Sequence, residues 1–312
     1  MKKINSGTNR TNKTSRFIKA VKHIIIPFMV IILICASATI VNAADTVFKN
    51  EKAQIDFTES NNTGTVKINV VAKTDKKVKV SIEKGDLKYT YDLNGTSKIE
   101  SYPLQWGNGE YNVRVLIQAS EPTKYSVALA QKFKIELKDD KAPFMNTNQH
   151  VNYSKDSKVV KKAAELVKDK KTELEKVEAI YKFVIDSLVY DTKLAETVQA
   201  GYLPSVDAVV DSGKGICFDY AAVLAAMLRS QGIPAKLVMG YVKVPNSKDA
   251  VYHAWNEFYL KDKGGWFKIN EMKFDGKKFE RVDPTFDSSN KSNKAAIKFI
   301  GDGNNYSKSW EF

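Results

Sequence analysis

Cysteine is nearly absent from this 312-residue chain: Cys35 and Cys217 are the only two. Cys35 falls in an apolar amino-terminal run, so the chain beyond that run has a single thiol and cannot form an internal disulfide. A leftover cysteine in an exported chain suggests intermolecular pairing or a reactive group, and otherwise a buried, inert side chain. Metal motifs are missing as well. There is no HExxH, no cysteine pair and no EF-hand loop, and "DGKKFERVD" and "DGNN" lack the acidic density of a calcium site. No cofactor motif and no internal repeat is visible. The formal net charge is +13, yet no cluster interleaves Arg with aromatic residues, which argues against nucleic acid as a partner.

Much of that charge has a local origin. "MKKINSGTNRTNKTSRFIKAVKH" holds seven Lys or Arg and no acid, and removing residues 1–43 leaves +6. An apolar run from Ile24 to Val41 follows, then small residues at Ala43 and Ala44. This is the order of a secretory signal peptide, with an uncleaved membrane anchor as the alternative. Ile34 before Cys35 is too bulky for a lipoprotein signal. In both cases the remainder is expected outside the cytoplasm, secreted or at the cell surface, and meets a membrane only through an uncleaved segment. Its moderate basicity permits loose attraction to an anionic wall or membrane surface.

Residues 45–140 alternate apolar and polar residues in "TVKINVVAK", "KVKVSIEK", "LKYTYDL", "YNVRVLIQA" and "YSVALAQKFKIEL", with turn signals between them. The spacing predicts an antiparallel β-sandwich with no visible chemistry. Residues 141–157 lose the period and read as a linker, with His150 exposed and idle in it. Residues 158–312 begin with helical stripes, Val160, Ala163, Ala164 and Val167, then Val177, Ile180, Tyr181, Val184 and Leu188. Shorter helices are expected at 193–200 and 205–211. From residue 235 the period returns to two. Helices first and strands afterwards predict an α+β domain.

The sharpest local signal is "DSGKGICFDYAAVLAAMLRSQGIP". Gly213 and Gly215 allow a tight bend, Cys217 opens a helix with Tyr220, Leu224, Met227 and Leu228 turned inward, and Gly232 and Pro234 end it. A thiol there faces unpaired backbone N–H groups and the positive end of the helix dipole, which favours an anion and can hold an oxyanion. A structural cysteine has no need of that position. A thiolate nucleophile also needs a proton shuttle oriented by a third group. His253 on the strand "VYHAWNEFYL" is the base available to the thiol, and Asp283 in "RVDPTFD" is a carboxylate at a strand end. The alternatives are a structural strand histidine and a turn aspartate before proline.

"GICFDYA", "HAWNEFYL" and "VDPTFD" resemble the three motifs of the transglutaminase-like superfamily, over roughly residues 160–290. The resemblance implies a papain-like catalytic domain in which Cys217 is the nucleophile, His253 the general acid/base and Asp283 its orienter. Trp255 and Glu257 fall on motif positions as structural support. The tryptophan expected just before the Asp-Pro-Thr is replaced by Phe279. The nearest one is Trp266, so "INEMKFDGKK" reads as a hairpin insertion. Tyr190 is the candidate for an additional oxyanion donor, with a core tyrosine as the alternative. The reading is an exported cysteine acyl-transfer enzyme acting on protein or peptide substrates, cell-wall material among them. A non-catalytic surface-binding or scaffold protein with the same fold is the second reading. An adhesin that tethers a partner through the amino-terminal strands is compatible with either.

Overall fold

The computed structural model describes residues 46–93, 98–244, 247–261, 267–269, 272–274, 280–290 and 294–312. The basic and apolar amino-terminal run, Trp266 and Phe279 lie outside the described residues. In the amino-terminal part the alternating segments form β1 (Val47–Lys49), β2 (Ala53–Asp56), β3 (Thr65–Val70), β4 (Val78–Lys84), β5 (Leu87–Asp92), β6 (Glu100–Pro103), β7 (Gly109–Gln118) and β8 (Tyr125–Ile135). They make two antiparallel four-stranded sheets, ordered β1-β2-β3-β6 and β5-β4-β7-β8. The period of two turns Ile55, Ile68, Val80, Ile82 and Val113 inward, and both sheets contribute to one apolar cluster. Phe57 after β2 stacks on Phe133 of β8 at 4.5 Å, a direct contact between the sheets.

The expected linker is a packed segment. Residues 141–157 contain no strand, but they bury Phe144, Asn148, His150 and Val151. His150 was expected to be exposed and is 5% exposed instead. The reason is non-local: its ring stacks on Phe312 at 4.0 Å and lies 5.8 Å from the rings of Tyr89 and Phe218. Asn148 Oδ1 accepts from the His150 and Val151 amides, which fixes the bend. Buried Arg229 donates to the main-chain oxygens of Asn146, Ala235 and Phe312, tying this segment to the second half.

That second half opens with helices Lys158–Val167 and Glu173–Ser187. Thr172 and Glu175 cap the latter reciprocally, each side chain taking the other's amide. The first stripe is rotated from the expected one. Val159, Ala163 and Val167 are buried, while Ala164 faces outward. Short helices follow at Thr192–Thr197 and Val206–Ser212, with β9 (Val189–Tyr190) and β10 (Lys214–Gly215) paired in parallel. The helix Cys217–Ser230 comes next, then β11 (Ala235–Val242), β12 (Val251–Phe258), β13 (Phe267–Ile269), β14 (Met272–Phe274), β15 (Glu280–Val282) and β16 (Tyr306–Glu311). Helices Pro284–Ser289 and Lys294–Asp302 lie between β15 and β16. The sheet order is β15-β12-β11-β16, antiparallel throughout, and β13 pairs with β14 as a hairpin that begins two residues before the segment expected to hold one. The chain is α+β.

The helix Cys217–Ser230 is buried on every side from Asp219 to Arg229, between the helices before it and the sheet. An inward stripe alone was expected; the alanines at 221, 222, 225 and 226 let neighbours close over the rest. Asn256 of β12 locks the helix to the sheet, its Nδ2 donating to the carbonyls of Ala221 and Lys236 at 2.9 and 3.0 Å. Asn256→Ala strands both buried acceptors, at about 1–3 kcal/mol each in the unrelaxed limit. A loss of about 2–3 kcal/mol is expected in urea unfolding, and a loss below about 0.5 kcal/mol contradicts this role.

Candidate active site

Local chemistry decides where the thiol helix begins. Gly213 ends the preceding helix at φ +63°, and the chain then runs beside β9 through β10. At Gly215 a Cβ would lie 2.6 Å from the Asp219 Cβ, so the close approach requires glycine. Asp219 folds back and accepts from the Ile216 amide at 2.8 Å and from the Tyr202 hydroxyl at 2.7 Å. Burial raises its carboxyl above the usual range, against the lowering effect of those two donors. Cys217 is thereby the first helical residue. It is half-buried and borders a cavity of about 660 Å³ at the start of the helix.

His253 lies on β12 opposite Gly240 of β11. Gly240 is a second position where no side chain fits: a Cβ there would lie 2.1 Å from the Ser307 carbonyl oxygen and 2.9 Å from the Trp255 ring. Asp283, fully buried, follows β15 and caps the helix Pro284–Ser289, with Pro284 as its first residue. Its Oδ1 accepts from the Phe286 amide at 2.9 Å. Its Oδ2 meets His253 Nε2 at 2.7 Å and the Tyr306 hydroxyl at 2.8 Å. With Nε2 engaged, Nδ1 is the ring nitrogen left for the hydrogen bond to Cys217. Burial alone would push this imidazole down. The charge and hydrogen bond of Asp283, joined by those of Cys217, raise it well above its ordinary value instead. The ring is therefore an imidazolium near neutral pH, set between a sulfur and a carboxylate.

Cys217, His253 and Asp283, distant in sequence, thus come together, Cys217 and His253 bordering the cavity and Asp283 buried behind the imidazole. Tyr190 borders the same cavity, where burial and then the Cys217 charge push its phenol far up, so its hydroxyl keeps its proton. Trp255 is buried beneath the site, 6.5 Å from the His253 ring and 5.1 Å edge-on to Tyr306. Glu257 pairs with Lys308 on the outer face. Sequence reasoning missed Tyr306, and also Tyr252, whose phenol burial and Cys217 push up to about 12. Neither belongs to a motif. Tyr306 joins the site only because β16 pairs with β11. Among the described residues, no group of three or more His, Cys, Asp or Glu is arranged to hold a metal ion.

An imidazole set between a thiol at a helix start and a buried carboxylate is an arrangement able to support cysteine-nucleophile chemistry. Residues 160–271 match the family model of the transglutaminase-like superfamily. No curated protein matches. Among solved structures, the chain is similar to a candidate protease from Parabacteroides distasonis at 22% identity, covering 38% of this chain and 24% of that one, with a TM-score of 0.28. It is similar to a candidate cysteine protease from Cytophaga hutchinsonii at 17% identity, with coverage of 80% and 75% and a TM-score of 0.40. It is also similar to the periplasmic domain of TgpA from Pseudomonas aeruginosa at 15% identity, with coverage of 81% and 100% and a TM-score of 0.35. The chain thus spans about a quarter of the length of the first of these structures.

The geometry makes two outcomes measurable. Iodoacetamide is expected to label Cys217 quickly near neutral pH, and His253→Ala to slow labelling by about tenfold or more; equal rates in the two proteins would remove the imidazole from the chemistry. The raised imidazole also links to stability. Its folded value lies above the unfolded value near 6.5, so its contribution is complete below that pH and fades as pH rises through the folded value. The unfolding free energy of wild type relative to His253→Gln is expected to be largest at about pH 5–6 and to shrink above neutrality. A difference that grows with pH has the wrong sign.

Proposed function

We propose that this chain is a cysteine acyl-transfer enzyme acting on carboxamides of protein or peptide substrates outside the cytoplasm. The observation that carries the reading is that one imidazole reaches both the Cys217 thiol and the buried Asp283 carboxylate. In the proposed reaction Cys217 Sγ, as thiolate, attacks the carbonyl carbon of the carboxamide. The negative charge moves to the carbonyl oxygen, held by the Cys217 amide at the helix start and by the Tyr190 hydroxyl. His253 gives its proton to the departing nitrogen, the C–N bond breaks, and an acyl thioester remains. His253, now neutral, takes a proton from water or a primary amine as that nucleophile attacks the thioester, and the C–S bond breaks to return the Cys217 thiolate beside the protonated ring. Water gives hydrolysis, and an amine gives a crosslink. Asp283 orients the ring and stabilises its cationic form throughout. The proposed location rests on the basic, apolar and small-residue order of residues 1–43.

Mass spectrometry of a glutamine-containing peptide, incubated with the chain with and without a primary amine, tests the reaction. A gain of about one dalton marks hydrolysis, incorporation of the amine marks transamidation, and chain scission marks proteolysis. Each is expected to vanish in Cys217→Ala. An unchanged peptide, with Cys217 labelled no faster than an ordinary free thiol, overturns the proposal.

A further inference from the structure

We propose that the outer edge of β5 is a binding subsite for extended polypeptide: the substrate chain adds to this edge as a further strand and so presents its carboxamide to Cys217. The proposal rests on the acyl-transfer reading and specifies the substrate as an unfolded or looped segment rather than a single side chain on any scaffold.

Among the described residues, β5 is the terminal strand of its sheet and pairs only with β4. Its hydrogen-bonding parity is set by one contact. The Leu93 amide donates to the Val78 carbonyl at 3.0 Å, so Leu93, Tyr91, Tyr89 and Leu87 direct their backbone groups to β4. The alternate residues, Asp92, Thr90 and Lys88, direct theirs away from it. One of these outward groups is taken: the Asp92 carbonyl accepts from Gln149 Nε2. Among the described residues, the Thr90 N–H and C=O and the Asp92 N–H have no hydrogen-bond partner.

This edge opens into the cavity of the thiol. Tyr89, Thr90, Tyr91 and Asp92 all border it together with Cys217 and His253. Successive side chains of a strand point to opposite faces, so four consecutive residues border one cavity only where the cavity runs along the strand edge. Thr90 is half-buried, recessed within the cavity rather than on an open rim. The span also fits. His150 lies 5.8 Å from the ring of Tyr89 and 5.8 Å from that of Phe218, the neighbour of Cys217. These two rings are therefore within about 12 Å, or three to four residues of extended chain at ~3.3 Å each. Among the described residues no Lys or Arg borders the cavity, which sets it apart from a site for a polyanionic glycan or phosphate. A row of unpaired N–H and C=O groups is what another backbone recognises.

The test uses the intact chain and an octapeptide glutamine donor, N-methylated at one backbone position at a time. Strand addition makes every second substrate amide essential. Methylation at alternate positions is expected to lower kcat/KM about tenfold or more, and at intervening positions by less than about twofold. Thr90→Pro removes an outward amide without touching the β4 ladder and is expected to abolish the alternation. A uniform penalty at all positions, or none, overturns the subsite while leaving acyl transfer intact. If no glutamine donor is turned over at all, the acyl-transfer reading has failed, and the subsite is judged on binding alone. For that arm, hydrogen exchange at residues 87–92 of Cys217→Ala is followed with the same unmethylated octapeptide at millimolar concentration. Slowed exchange of the Thr90 and Asp92 amides supports the subsite, and unchanged exchange overturns it.

Discussion

A carboxylate with no solvent exposure is expensive unless its oxygens are occupied, and Asp283 meets that demand with three donors from three different places. The Phe286 amide belongs to the helix it caps, the imidazole to β12 and the Tyr306 hydroxyl to β16. Since burial of the charge depends on all three, the end of β15, the central strand and the last strand are held in register around one side chain. The imidazole takes its cationic character from the same place. Removing one donor would leave the charge under-satisfied and loosen the others' reason for being there. The site is in this sense a consequence of how the sheet closes.

Other features reinforce that closure without touching the chemistry. Gly240 lets β16 and Trp255 crowd against β11 where a side chain would force them apart, and Tyr306 reaches Asp283 because β16 sits that close. Asn256 fixes the opposite face of β12 to the thiol helix. The helix is enclosed along its length, so its first residue cannot drift relative to the strand that holds the imidazole. β5 and the segment around His150 form the far wall of the cavity.

Cys217, His253 and Asp283 were legible in the amino-acid order because each lies in a local pattern with its own physical requirement: a glycine turn before a helix, a half-buried strand, a proline-capped strand end. The α+β order was legible from the change of hydrophobic period. Tyr306 was not, since nothing near it in sequence distinguishes it from any strand tyrosine, and its role arises from a pairing across about 65 positions. His150 was misread for a related reason. Irregular sequence looks like exposed tether, but Phe312, Phe218 and Arg229 come from far along the chain to cover it. The first helical stripe kept Ala163 and Val167 but took Val159 in place of Val160 and left Ala164 outside, because Val159 and Val160 both satisfy a loose apolar periodicity and only packing decides between them.

Two imidazoles border the one cavity, and their surroundings drive them apart. His150, buried against aromatic rings and near the Arg229 cation, is pushed down to about 3, while His253 is raised well above its ordinary value. One ring is a flat neutral tile and the other a fixed cation across the mildly acidic to neutral range in which histidine ordinarily toggles. Neither ring changes charge over that range in the folded state, yet both link folding to pH: acidification toward the ordinary histidine value favours the folded chain through His253, and acidification below it disfavours the folded chain through His150.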